Sequence, residues 1–284
     1  MLRVTAQKAS KERVGFATRR EEFEQAFQLI YKEYLRKGYC LARPSKMRIS
    51  IYNALPETAT FCLWRNDIML ATASLILDSP MGLPMEDVYP NEIHKLRSGG
   101  RKLSEVSLLA LNSAVISKGI LPLYYAERLR CLYHIFKPIF WYARETVGSS
   151  DLCIAMNPIH KLLYSSMHFE QFGEERVYES VNANPSIAMR LNFDDIDERG
   201  KKTPGLYKLF IGSKLEIKKV SGVFRWNAQD FGYFFVQHSE VLKKAKPKQI
   251  DYLTNVYPEL PIKQMVFQAN SIQSYGQSSI GKCA

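Results

Sequence analysis

DSPMGLPMEDVYPNEIHKLRSGGRKLSEVSLLALN, residues 78–112, is the stretch of sequence that decides the fold. Its first part, Asp78 to Gly100, holds three prolines and three glycines, which predicts a long ordered loop. Its second part, Leu103 to Leu109, is an apolar strand that carries one acid, Glu105. Burying a carboxylate on a strand is energetically unfavourable unless it is paired. A buried acid is therefore expected either to have a partner or to be kept for a chemical role. The surroundings of Glu105 therefore decide what the protein does.

Residues two apart on a strand point to the same side, so Glu105 and Ser107 form a polar spot on one face. One interpretation is that Glu105 is a general base at a cleft where the sheet opens. Burial raises a carboxyl pKa toward the range useful for taking a proton from an ammonium group. The alternative is a structural ion pair between Glu105 and one of three nearby cations: Arg97, Arg101 or Lys102.

The rest of the chain alternates helical and strand patterns. A helix is predicted to open with a capping box of Thr18 and Glu21 and to stop at Gly38. Strands are predicted at Thr58–Trp64, Met69–Leu77, Leu103–Leu109, Leu152–Met156, Phe169–Glu179 and Ser186–Phe193, and helices at Leu123–Val147, kinked at Pro138, and from Asn157 through Met167. This order predicts an α/β fold, with a mixed, mostly antiparallel central sheet flanked by helices.

The composition changes after about Asp197, where lysine-rich segments alternate with aromatic ones. Ala228 to Lys244 has helical apolar spacing, which predicts a mostly helical C-terminal extension. The predicted organisation is therefore a main domain at 15–195, a helical aromatic and basic extension at 196–270, and a flexible tail at 271–284.

Charge and cysteine content narrow the classes of function. The formal charge is +11, and the excess of Lys and Arg lies in residues 1–48 and 197–284. Basic ends favour an anionic partner, or they form a solvated surface only. No nucleic-acid motif accompanies them, and the five cysteines form no CxxC pair that predicts a zinc site. Without a signal peptide or a membrane-spanning run, a cytoplasmic protein is expected, with peripheral membrane contact left open.

A second motif runs from Asn157 to Phe169, where a strand passes directly into a helix that carries Tyr164. Together with the strand order, it resembles the GNAT N-acyltransferase fold. In that fold a tyrosine on this helix often protonates the leaving thiolate, and a Tyr-x-x-x-Gly-Phe pattern follows. Here His168 stands in place of the glycine. The alternative for Tyr164 is a packed core tyrosine.

The two motifs together resemble the long-chain N-acyl amino acid synthases, which are GNAT-like enzymes related to the acyl-homoserine-lactone autoinducer synthases. The resemblance covers roughly residues 15–195. It rests on Asp78-Ser-Pro-x-Gly82-Leu-Pro84, Tyr89-Pro90, Leu96-Arg97, Arg101-x-Leu103-x-Glu105-Val106-Ser107 and Asn157-Pro158-x-His160-x-x-x-Tyr164.

This resemblance implies an enzyme that moves a long-chain fatty acyl group from acyl carrier protein to the α-amine of an amino acid. Glu105 and Tyr164 are then the expected catalytic residues, and backbone N–H groups where the strands splay are expected to stabilise the oxyanion. Arg97 or Arg101 is expected to bind the amino-acid carboxylate. The remaining expected substrate-binding residues are Ser107 and Asn157. No metal is implied, and no cofactor beyond the phosphopantetheine that the carrier protein delivers.

Two departures refine the expected substrates. Autoinducer synthases usually show Glu-x-x-Arg on this strand, but Leu108 occupies the arginine position, which disfavours a lactone product. The glycine-rich loop that binds the CoA pyrophosphate in ordinary GNAT enzymes is absent between Leu108 and Tyr125, which favours an acidic carrier protein as the donor. Its expected docking residues are Arg19, Arg20, Lys32 and Arg36. Two alternatives remain: an autoinducer-type synthase, and a non-catalytic acyl-carrier or lipid-binding relative.

Overall fold

A computed structural model describes residues 12–116, 121–202 and 224–272. Most of the tail predicted at 271–284 lies outside these ranges, as do two aromatic residues of the extension, Tyr207 and Phe210. Within the described ranges no helix is both long enough and apolar enough to cross a membrane.

The centre of the fold is a seven-stranded sheet with the order β1-β2-β3-β4-β5-β7-β6. Its strands are β1 Glu12–Phe16, β2 Ala59–Arg65, β3 Ile68–Leu77, β4 Leu103–Leu111, β5 Asp151–Met156, β6 Glu170–Tyr178 and β7 Asn184–Asn192. All neighbours pair antiparallel except β4 and β5, which are parallel. The mixed, mostly antiparallel sheet expected from the sequence is confirmed, and β1 is an additional edge strand that the sequence did not indicate.

The described helices flank this sheet and build the extension. They are α1 Arg20–Arg36, α2 Pro90–Ser98, α3 Ser113–Ile116, α4 Leu121–Trp141, α5 Lys161–Ser166, α6 Ile196–Lys202, α7 Ala228–Phe231, α8 Pro247–Val256 and α9 Ile262–Ser271. The last turn of α4 continues as a π-helical segment at Tyr142–Val147, and α7 continues as another at Gly232–Gln237. The mostly helical C-terminal part is therefore confirmed.

Two local predictions were wrong for identifiable reasons. The supposed loop from Asp78 to Gly100 contains a 3-10 helix at Pro84–Asp87 as well as α2. In both elements a proline occupies the first helical position, where its fixed φ and missing N–H are compatible with a helix start. A proline that was counted as evidence for a loop is in fact the start of a helix.

The start of α1 also differs by one residue from the predicted capping box. Arg19 is the N-cap, and its side chain makes no capping hydrogen bond. Instead Glu22, rather than Glu21, reaches back and accepts a hydrogen bond from the Thr18 backbone N–H at 3.0 Å. The acid and the threonine are still joined, but the register of the box is shifted.

The sheet separates two hydrophobic clusters. The first lies on the α1 side and contains Phe27, Tyr89 and Leu103 together with Trp226, Phe234 and other residues of the C-terminal helices. The second lies on the α4 side and contains Val106, Phe136 and Tyr164. The C-terminal extension therefore packs on α1 and adds to one core rather than forming a separate one.

Candidate active site

A cavity opens where the central parallel pair of strands ends its pairing. β4 and β5 pair over only three positions, and the last pair is Glu105 with Cys153. Beyond that point lies a cavity of about 170 Å³ that both strands line. Its wall includes Tyr34 from the α1 side and Leu132 from the α4 side. The opening is therefore a passage between the two faces of the sheet.

Glu105 lines this cavity and is almost completely buried, at 2% exposure. Its Oε2 accepts a hydrogen bond from the Met85 backbone N–H at 2.9 Å, in the 3-10 helix after β3. The pKa of the Glu105 carboxyl is raised to about 8: burial is the largest cause, the Met85 hydrogen bond opposes it, and the nearby charges of Glu86 and Asp87 add to it. A strongly raised pKa beside a cavity is one of the features that mark a candidate functional residue.

The ion pair considered for Glu105 is not formed. Arg97 binds Asp78 in a two-pronged contact at 2.8 Å and also pairs with Glu86. Arg101 pairs with Asp151 and Asp194, and Lys102 donates to the Val147 carbonyl. Neither of the two arginines lines the cavity, although one or the other was expected to bind the substrate carboxylate.

A β-bulge in β4 shapes the wall after Glu105. The register to β3 slips between Thr72 and Ser74, so that β4 has one extra residue there, and Leu108 adopts a positive φ of 56°. As a result Leu103 and Leu108 face the same cluster although they are five residues apart. Leu108, which occupies the position of the autoinducer synthase arginine, is buried at 7% exposure and lines the cavity.

Tyr164 lies in the cavity wall on the opposite face of the sheet from Glu105. Its ring makes edge contacts with Phe136 and Phe169, and only 4% of the residue is exposed. Burial raises the pKa of its hydroxyl, and Tyr34 is close enough to raise it further. Tyr164 is thus a packed core tyrosine whose hydroxyl stays protonated beside the cavity. Its role as the proton donor stays a prediction.

The other two expected substrate-binding residues also line the cavity. Ser107 follows Glu105 on the same face of β4, as their spacing predicts. Asn157 follows β5, where its side-chain oxygen accepts from the Ile159 N–H at 3.1 Å and caps the 3-10 turn before α5. The structure therefore brings four predicted residues together around one opening: Glu105, Ser107, Asn157 and Tyr164.

Cations from three separate elements add to this cavity, and the sequence did not indicate that they meet. They are Arg36 and Lys37 at the end of α1, Arg48 in the following segment, and Arg128 on α4. Lys37 and Arg128 both lie near His160. Burial lowers the pKa of the His160 imidazole, and the charges of Lys37 and Arg128 lower it further. No spacing within the sequence reveals such a cluster, since it depends on how α1, α4 and α5 converge.

The four expected docking residues are spread along α1 and are not one patch. Arg19 pairs with Glu22, and Arg20 pairs with Asp230 of the C-terminal extension. Lys32 is exposed, and Arg36, which pairs with Glu33, lines the cavity. Arg20 and Arg36 are about 24 Å apart along the helix axis, since each residue adds about 1.5 Å. Among the four, only Arg36 lies at the cavity.

Solved structures resemble this chain to different degrees. The structure of FeeM, an N-acyl amino acid synthase from uncultured soil microbes, is 26% identical, with a TM-score of 0.56 over 67% of this chain and 94% of that one. The acyl-homoserine-lactone synthase LasI is 14% identical, with a TM-score of 0.49 over 74% and 100%. An acyl-CoA N-acyltransferase from Pseudomonas aeruginosa is 16% identical, with a TM-score of 0.39 over 64% and 99%.

No curated protein matches the chain. A family model does: the model described as N-acyl amino acid synthase FeeM matches residues 25–192, which is more than half of the chain. The matched range contains the whole cavity, including Glu105 and Tyr164. The chain is therefore a GNAT-like N-acyltransferase that belongs to the N-acyl amino acid synthase FeeM family.

Proposed function

We propose that the protein transfers a long-chain fatty acyl group from acyl carrier protein to the α-amine of an amino acid. The observation that carries this proposal is the passage through the sheet, which has the buried acid Glu105 in the wall of one face and the neutral phenol Tyr164 in the wall of the other. An acyl thioester that enters from the Tyr164 side would meet an amine from the Glu105 side at the strand opening.

Glu105 is suited to take a proton from the incoming ammonium group. Its pKa of about 8 is much closer to that of an amine than the pKa of an ordinary carboxyl is. The ionised form of Glu105, directly or through a water, accepts one proton from the ammonium. The freed amine nitrogen then forms a bond to the thioester carbon, and the carbonyl oxygen becomes an oxyanion.

The second half of the reaction breaks the carbon–sulfur bond. The oxyanion collapses to the amide carbonyl while the departing thiolate takes a proton from the Tyr164 hydroxyl. The nitrogen then loses its second proton, which returns through water to Tyr164, and Glu105 releases the first proton to solvent. The β4 backbone after Glu105 has no hydrogen-bonding partner on β5, so its N–H groups are suitable for holding the oxyanion. The products are an N-acyl amino acid and the free phosphopantetheine thiol of the carrier.

The cations at the cavity support an acidic carrier protein as the donor. Arg36, Lys37 and Arg128 all lie in the cavity wall, where an acyl-phosphopantetheine arm would enter. Lys37 and Arg128 have no carboxylate partner among the described residues. A negatively charged carrier surface would supply the missing countercharge.

The lactone-forming alternative has less support in the cavity. The family position that carries an arginine in autoinducer synthases is filled by the apolar, buried Leu108. No guanidinium therefore projects from β4 at that point of the wall. The amide-forming reaction needs only an amine nucleophile and a base, and both the acid and the opening for such a substrate are present.

The test is a reconstitution with purified components. Dodecanoyl acyl carrier protein is incubated with the enzyme and an equimolar mixture of the twenty amino acids, and mass spectrometry follows lipid products and free carrier thiol. We expect one or a few N-dodecanoyl amino acids, formed in equal amount to the free thiol. Dodecanoyl-CoA is supplied in parallel to compare the two donors.

Thioester hydrolysis without any amide would contradict the proposed function, and so would an acyl lactone formed only after S-adenosylmethionine is added. Binding of the acyl carrier without turnover would support the non-catalytic alternative. Faster turnover of dodecanoyl-CoA than of the carrier substrate would contradict the proposed donor while leaving the amide-forming reaction intact.

A further inference from the structure

Arg48 is an arginine in the cavity wall with an unfilled binding capacity. It lies in the segment between α1 and β2, and its Nη2 donates to the Ser180 carbonyl at 2.6 Å. The guanidinium also lies over the Tyr34 ring, with its central carbon 5.0 Å from the ring centre. Its Nε is sealed from solvent and has no hydrogen-bond acceptor among the described residues.

The environment of Arg48 differs from that of three other half-buried arginines, Arg97, Arg101 and Arg130. Arg97, Arg101 and Arg130 each contact at least two carboxylates. Arg48 contacts none within residues 12–116, 121–202 and 224–272. A half-buried guanidinium without a countercharge is unfavourable. An anionic ligand that enters the cavity would relieve this cost with hydrogen bonds stronger than those between neutral groups.

The location of Arg48 fits one part of an amino-acid substrate. Arg48, Tyr34 and Glu105 all line the same cavity. Arg48 lies over the Tyr34 ring, and Glu105 is close enough for its charge to act on the Tyr34 hydroxyl. An α-amino acid carries its ammonium and its carboxylate on the same carbon. Such a substrate can therefore place its ammonium at Glu105 and its carboxylate toward Arg48 in the same cavity.

We propose that Arg48 binds the carboxylate of the acyl acceptor and thereby makes the enzyme select amino acids over simple amines. This inference rests on the proposed function, and it assigns to Arg48 the role that the sequence suggested for Arg97 or Arg101. Those two arginines are already neutralised by acids and lie outside the cavity: Arg97 pairs within the segment between β3 and β4, and Arg101 ties that segment to Asp151 and Asp194.

A binding experiment tests this role without any turnover. The probes are N-dodecanoylglycine and N-dodecanoylglycinamide, which differ only in the charge of the terminal group. Isothermal titration measures both on the wild type, on R48M and on R176M. Arg176 is a matched control, because it also donates to a backbone carbonyl and lies over a tyrosine ring, but away from the cavity and paired with Glu92.

We expect the wild type and R176M to bind the acid at least about tenfold more tightly than the amide, since a hydrogen-bonded charge contributes that much. R48M is expected to bind both probes equally. A wild type without preference for the acid, a preference that survives in R48M, or a wild type that binds neither probe would overturn the proposal. A purely structural role of Arg48 would weaken both probes alike and would therefore also contradict it.

Turnover separates a failure of this inference from a failure of the proposed function. With dodecanoyl carrier protein, glycine and glycinamide serve as acceptors. R48M should raise the KM for glycine at least about tenfold and leave the KM for glycinamide unchanged. Equal changes for both acceptors would overturn the role of Arg48 while amide synthesis itself stands. No amide from any of the twenty amino acids would instead contradict the proposed function.

Discussion

The arginines of two regions show opposite arrangements. In the segment from β3 to β4, Arg97 and Arg101 lie among carboxylates and fix that segment to the sheet. Around the cavity, Arg48 and Arg128 have no carboxylate partner among the described residues. The first pair is close in sequence to the motif around Glu105, and the second pair is distant from it. The two arginines nearest to Glu105 in sequence are therefore paired with acids away from the cavity, while two distant ones reach the cavity without such partners in the described part of the chain.

The largest expected effect comes from Glu105→Gln, which changes the acid that neither Arg97 nor Arg101 pairs with. Turnover should fall about a hundredfold to ten-thousandfold, because no group then takes the ammonium proton. Steady-state amide formation measures this loss. The rate of the wild type should rise as pH increases toward about 8, where the Glu105 carboxyl ionises. Full turnover by a folded E105Q protein would show that Glu105 is not the base.

The same variant has a stability effect that is independent of activity. The pKa of Glu105 is about 8 in the folded protein and 4.5 by its ordinary value. Between these values the unfolded chain releases a proton that the folded protein keeps, so the free energy of unfolding falls as pH rises through this range. E105Q has no carboxyl to ionise, so its free energy of unfolding does not fall in this way. Above pH 8 it should be more stable than the wild type, by on the order of a few kcal/mol. Urea unfolding at pH 5, 7 and 9 measures the difference.

Tyr164→Phe should have the next largest effect. It removes the proton donor on the opposite face of the sheet, and we expect about a tenfold to hundredfold loss in turnover. The loss should be smaller than for Glu105, because a thiolate is a good leaving group even without a proton. A donor with a more acidic thiol should therefore rescue Y164F and leave E105Q inactive. Equal losses with both donors would indicate that Tyr164 acts only through packing.

Charge reversal at Lys37 and Arg128 tests the unpaired cations at the cavity. The double variant should lower kcat/KM for dodecanoyl carrier protein roughly tenfold and reduce its dependence on salt. A small dodecanoyl thioester of N-acetylcysteamine, which carries no acidic protein, should be turned over as before. Arg19→Glu, at the far end of α1, is the matched control and should have little effect. An equal loss from the control would place the docking surface along the whole helix.

Arg97→Met should have the smallest effect on activity, because Arg97 is paired and lies outside the cavity. Its loss leaves Asp78 and Glu86 without their partner and should destabilise the protein by about 1 kcal/mol, since the pair is partly exposed to solvent. Thermal unfolding measures this change, and the KM for the amino acid should not move. A raised KM with normal stability would return the carboxylate-binding role to Arg97.

The sequence predicted the strand that carries Glu105 well and its continuation less well. Alternation along a strand was sufficient to place Glu105 and Ser107 on one side. The bulge at Leu108 reverses that alternation, and it depends on the pairing with β3, which spacing alone does not show. The cations at the cavity were not predictable as a group, because α1, α4 and α5 meet only in the folded protein.

One imperfect motif is explained by backbone conformation. Where the GNAT pattern has a glycine after the tyrosine helix, this chain has His168, and its φ is 66°. That left-handed conformation is the reason a glycine suits the position, and histidine is among the residues that tolerate it better than most. The departure in sequence therefore preserves the turn that leads from α5 into β6.

The short pairing between β4 and β5 joins two parts of the sheet, β1 to β4 on one side and β5 to β7 on the other. Three residue pairs connect these two parts, and Glu105 belongs to the last of the three. The distance between the two strands is therefore fixed by pairing at Glu105, whereas the residues that follow it on β4 and β5 are not held together by such pairs.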